Sequence, residues 1–82
     1  MSIQIKLSTT LRDCVPGYVP ETGLLFEPED GPSVLTAGEL ARRIGLPLEE
    51  IKIVMVNCRQ SDLNSPVNNG DTVAYFPAVG GG

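Results

Sequence analysis

Few residues in this chain have the chemistry for a reaction. There are two cysteines, Cys14 and Cys58, no histidine, and a sequence that closes on Gly80-Gly81-Gly82 with its α-carboxylate. Without histidine, neither a nucleophile–His pair nor a His-ligated metal can be built. Two cysteines without a CxxC pair make neither a disulfide framework nor a zinc site, and an iron–sulfur cluster would need four. Cys14 and Cys58 therefore read as inert thiols. The Gly82 carboxylate, with a pKa of about 3.5, is ionised at neutral pH and is a poor electrophile until something activates it. Glycines lack Cβ, so such an end can thread a slot too narrow for other residues, and nothing packs it to the body. The same triplet also reads as a flexible end of no consequence. What precedes it decides between the two.

The chain that carries this end has 82 residues. A single domain of that size buries only roughly 60–65% of its unfolded surface, which favours a module that binds partners over a self-contained enzyme. Ten acids against six bases give a net charge of −4, the wrong sign for a nucleic-acid surface. Glu27, Glu29 and Asp30 lie close together in sequence, as do Glu49 and Glu50. They read as a solvated face, or as steering toward a basic partner. Lys6 and Lys52 read as strand-surface residues. Met1–Leu7 has no continuous apolar stretch of the kind a signal peptide carries, and Ile53–Val56 is too short to cross a bilayer. The expectation is a cytoplasmic protein with reduced thiols and no membrane contact.

Periodicity places the elements. Ile3, Ile5 and Leu7 alternate with polar residues, which predicts a half-buried strand. Residues 8–23, punctuated by Pro16, Gly17, Pro20 and Gly23, predict a long connection with one helical turn near Leu11. A second strand is expected at Leu24–Glu27, ended by Pro28 and the turn residues after it. Thr36-Ala37-Gly38-Glu39 has the pattern of a capping box, and Leu35 and Leu40 have the spacing of a hydrophobic staple. Leu40, Ala41 and Ile44 share one face, Arg42 and Arg43 suit the helix C-terminus, and Gly45 with Pro47 stops it. A helix over Ala37–Ile44 follows. Leu48–Glu50 predicts a short turn. Ile51–Asn57, apolar on both faces, predicts a central strand. Asn57-Cys58 predicts a turn into a short edge segment at Arg59-Gln60, and residues 62–69 a loop. Thr72–Phe76 predicts the last strand, with Val73 and Tyr75 on one face and Ala74 and Phe76 on the other, halted by Pro77. One helix cannot cover two faces of a sheet, so the class is α+β, a mixed sheet with the helix across it.

Three segments carry a resemblance. Ile53-Val54-Met55-Val56-Asn57, then Leu63 through Val73, then Phe76-Pro77-Ala78-Val79-Gly80-Gly81-Gly82 resemble, in order, the corresponding segments of the MoaD and ThiS family of sulfur carriers. Cys58 stands where that family usually has glycine, which puts the turn type in doubt, and Ala78 replaces a second proline. The resemblance implies a β-grasp (ubiquitin-like) fold: a mixed sheet of four to five strands with one main helix, a domain over 1–79 and a glycine tail over 80–82. It implies a carrier or co-substrate, countable as the small subunit of a synthase, rather than an enzyme. Gly82 would be adenylated and converted to a thiocarboxylate, with Gly80 and Gly81 as the tail. Phe76, Pro77 and Val79 would dock partners, although Phe76 also reads as plain core. No cofactor would be bound; Mg-ATP would be used by a ubiquitin-activating-type enzyme. A cysteine desulfurase or rhodanese would supply sulfur, and a synthase subunit would accept the tail. Molybdopterin or tungstopterin synthesis is favoured over thiamine thiazole, and a ubiquitin-like modifier or a passive interaction module is the alternative.

Overall fold

The computed structural model describes residues 2–28 and 35–77. Strand β1 (Ile3–Leu7) buries Ile3, Ile5 and Leu7 and turns Gln4 and Lys6 outward, as its alternation requires. The connection that follows contains a six-residue 3-10 helix, Thr9–Cys14, rather than one turn. Its Leu11 is buried, and Val15 just beyond it closes one end of the core. Tyr18 ties the rest of this connection to β1, because the Leu7 N–H donates to its hydroxyl at 2.8 Å. Strand β2 (Leu24–Phe26) then runs antiparallel to β1.

Strand β3 is only Leu35–Thr36, and helix α1 (Ala37–Ile44) follows at once. Its limits are those the capping pattern predicts. Thr36 accepts a hydrogen bond from the Glu39 N–H at 3.1 Å, and Gly45 closes the helix at φ 95°. The Glu39 carboxylate lies 3.5 Å from both Arg42 and Arg43. A 3-10 turn at Leu48–Glu50 leads into β4 (Ile51–Val56), β5 (Arg59–Ser61), β6 (Pro66–Val67) and β7 (Thr72–Pro77).

The main sheet has the order β2-β1-β7-β4-β5. β1 and β7 are parallel and the other pairs antiparallel. Two expectations about strand placement need correction. The centre of the sheet is β7, and β4 lies one strand from the edge. Residues 62–69 are not all loop, since β6 pairs with β3 in a separate two-stranded sheet. Both corrections arise from pairings between segments far apart in sequence, which local patterns do not encode.

Helix and sheet share one core. Leu40 and Ala41 of the helix pack in a single cluster with Ile3 and Ile5 of β1, Val54 of β4 and Val73 and Tyr75 of β7. Tyr75 is fully buried and its hydroxyl donates to the Ala37 carbonyl at 2.7 Å, joining the central strand to the first turn of the helix. Among the described residues no helix is long and apolar enough to cross a membrane.

Candidate functional site

Among the described residues one α-helix lies on one face of the sheet, and no other element covers the opposite face. The other face carries the outward residues of each strand, and their register brings them together. Phe76 of β7 pairs with Ile53 of β4, Ala74 with Met55, and Lys6 of β1 with Ala74 from the other side. Ile53 is 42% exposed. Leu25, opposite Gln4, is 57% exposed. Met55, on the second apolar face of β4, lines a hollow of about 280 Å³ together with Lys6, Cys58, Thr72, Ala74 and Phe76. The hollow holds one or two side chains; a drug-sized ligand would need more room. Lys6 is the one charged side chain on its wall.

Phe76 is half-buried on this open face, so it is not a core residue. Pro77 ends β7 opposite Ile51, and between Ile51 and Ile53 the register slips by one residue at Lys52. Such a bulge bends its strand and adds local twist. The chain thus leaves the centre of the sheet at Pro77, with the open apolar face at its root. Val79, Gly80, Gly81 and Gly82 lie outside the described residues, as does the proposed boundary at 79.

Sequence reasoning missed Ile53, Met55 and Leu25 as surface residues. The signal was present: Ile53 and Met55 alternate with the buried Val54, and a single helix leaves such an alternate set uncovered. Cys58, exposed, is a free thiol at the rim, and Cys14 is half-buried beside the core. The Asn57-Cys58 turn takes φ 52° and 68°, the left-handed pair that a two-residue hairpin loop needs. Cys58 therefore adopts the conformation that glycine would take there.

The covered side of the β4–β5 hairpin offers a larger hollow of about 600 Å³, walled by Asn57, Arg59, Ser61, Ser65, Asn68 and Asp71 among others. Asn57, Asn68 and Asp71 in its wall bond to one another and to the neighbouring strand. The Asp71 carboxylate accepts from Asn57 Nδ2 at 2.9 Å and from the Asn68 N–H at 2.7 Å. Asn57 Oδ1 accepts from the Thr72 N–H at 2.9 Å. Among the described residues no group of three or more Cys, Asp or Glu is placed to hold a metal ion. Among the described residues, the buried titratable group with a displaced pKa is the Tyr75 phenol, pushed up by burial, so it stays protonated. A protonated phenol bonded to a helix carbonyl is structural.

No family model and no curated protein matches this chain. Solved structures do. The chain is similar to SAMP1 from Haloferax volcanii, with 21% identity over the whole of both chains and a TM-score of 0.67. It is also similar to a chain of the protein–protein complex of subunits 1 and 2 of molybdopterin-converting factor from Helicobacter pylori 26695. There the identity is 18%, again over the whole of both chains, with a TM-score of 0.55. Matches this distant speak to architecture, and the architecture is plain: this chain is a β-grasp domain, a five-stranded mixed sheet crossed by one helix.

Proposed function

We propose that this chain is a ubiquitin-like sulfur carrier of the MoaD and ThiS kind, acting through the carboxylate of Gly82. The observation that carries the proposal is positional. The strand leading to Gly80-Gly81-Gly82 is the central one, and it emerges beside the apolar hollow of the open face. An adenylating enzyme would dock on Phe76, Ile53 and Met55 with the rim around them, in the way buried aromatic and aliphatic anchors dominate interfaces. Residues 77–82, fully extended, would reach on the order of 20 Å into its site.

The chemistry follows from the carboxylate. Attack of its oxygen on the α-phosphorus of ATP gives an acyl adenylate and releases pyrophosphate. A persulfide anion on the sulfur donor then attacks the acyl carbon, AMP leaves, and an acyl disulfide forms. A second thiolate attacks the donor-side sulfur, and the Gly82 thiocarboxylate departs. No group of the carrier need take part beyond its own terminus. Among acceptors we place a pterin dithiolene precursor before a thiazole precursor. The Phe76-Pro77 terminus and the full-length likeness to a chain of the molybdopterin-converting factor complex support that order.

The test is reconstitution with Mg-ATP, a ubiquitin-activating-type enzyme and a persulfide donor, read by intact mass. Replacement of one terminal oxygen by sulfur is expected. Deletion of Gly82 should abolish it with the melting temperature unchanged, since nothing described in the core involves the tail. A product in which Gly82 is joined by an amide to a partner lysine would mean a modifier instead. Normal sulfur transfer by the Gly82 deletion would overturn the mechanism.

A further inference from the structure

The turn between β6 and β7 holds a second reactive element unrelated to the tail. Of the asparagines Asn57, Asn64, Asn68 and Asn69, only Asn69 is followed by glycine. That dipeptide can react with itself. The main-chain nitrogen of Gly70 attacks the side-chain carbonyl carbon of Asn69, a C–N bond closes a five-membered imide, and ammonia leaves. Water then opens the ring at either carbonyl, giving aspartate or isoaspartate. Glycine is the following residue that hinders this attack least, having no side chain beside its nitrogen. Asn69 and Gly70 are both exposed, so water reaches them.

The fold holds both reacting groups with one residue. The Ser2 N–H donates to Asn69 Oδ1 at 2.7 Å, and the Gly70 N–H donates to the Ser2 carbonyl at 2.7 Å. The first bond fixes the side-chain carbonyl that must rotate. The second occupies the proton that must leave the nucleophile. The turn is further closed by the Asp71 N–H donating to the Asn68 carbonyl at 3.0 Å, with Gly70 at φ 87°. Ser2 lies just outside β1, which begins at Ile3. Its release therefore breaks the latch while the β1–β7 ladder stays intact, a local opening of the kind that costs far less than unfolding.

We propose that Asn69-Gly70 is a spontaneous modification site latched by Ser2, with conversion to aspartate and isoaspartate following release of that residue from the turn. Isoaspartate adds a methylene to the main chain between β6 and β7. It places a new carboxylate near Asp71, which already accepts two hydrogen bonds that hold the Asn57 and Asn68 segments. Conversion therefore loosens the end of the sheet opposite the Pro77 root.

The experiment uses the full chain at mildly alkaline pH, folded and in urea. Intact mass reads the exchange of NH2 for OH, and peptide mapping finds the residue and separates the two products. Modification at Asn69 should run roughly tenfold or more slower in the folded protein than in urea. Ser2→Pro, which has no N–H at position 2, should raise the folded rate toward the urea rate. Hydrogen exchange at the Gly70 amide of the parent gives a second readout that needs no variant, and that amide should be protected. Equal rates folded and unfolded, earlier modification at Asn57, Asn64 or Asn68, or free exchange at Gly70 would each overturn the proposal. So would an unchanged rate in a folded Ser2→Pro variant.

Discussion

Removing one oxygen atom from Tyr75 tests how the helix is held to the strand that leads to the tail. Tyr75→Phe keeps the ring in a fully buried place and loses the hydroxyl that donates to the Ala37 carbonyl at 2.7 Å. A buried hydrogen bond of this kind contributes about 1–2 kcal/mol once its acceptor is left short of a partner. In a domain this small that corresponds to a fall in melting temperature on the order of 5–10 °C. The pH dependence sharpens the test. Burial pushes the Tyr75 phenol well above its ordinary value of 10.0, so the folded state keeps a proton that the unfolded chain loses. The stability this provides is complete below pH 10 and is lost as pH rises from there toward the folded pKa, at up to about 1.4 kcal/mol per pH unit. Phenylalanine has no proton to lose. The parent should therefore lead the variant by about 1–2 kcal/mol at pH 7 and lose that lead near pH 11. Tyr18, the lysines and the arginines are common to both proteins and cancel in the difference. Urea unfolding of parent and variant at pH 7 and pH 11 measures it. A difference that is absent at pH 7, or that does not change with pH, would refute the reasoning.

Two further substitutions probe local geometry. Cys58 holds φ 68° without being glycine, a conformation that costs roughly 1–2 kcal/mol. Cys58→Gly should recover about 0.5–1 kcal/mol after the greater unfolded-state entropy of glycine is subtracted, seen as a higher urea midpoint; a lower one would mean that the turn is not strained. Gly38→Ala should fail as a helix stabiliser. A Cβ there would lie 3.0 Å from the Leu63 carbonyl oxygen and 3.2 Å from Leu63 Cβ, and the Gly38 N–H already binds that carbonyl at 2.8 Å. The crowding, about 1–3 kcal/mol, exceeds the helix-propensity gain of about 1 kcal/mol, so net destabilisation is expected in the same unfolding assay.

The local chain settled much of this protein by itself. Thr36 and Gly45 bound the helix because capping depends on residues within one turn of each end. The alternation of β7 sorts Tyr75 inward and Phe76 outward because strand side chains alternate whatever lies beside them. The carboxylate of Gly82 stands out because no histidine offers a rival chemistry. That β4 has two apolar faces is plain in its sequence; which of the two is covered was decided by tertiary structure. Ile51 and Val54 go inside, while Ile53 and Met55 are left on the open face, because one helix supplies cover for one side only. The pairing of β3 with β6, the parallel contact of β1 with β7 and the latch from Ser2 to Asn69-Gly70 join residues 30 to 68 positions apart. No local preference specifies such contacts. They form because closing the loops between them is repaid by the shared burial of Leu35, Val67, Ile5 and Val73 in one core.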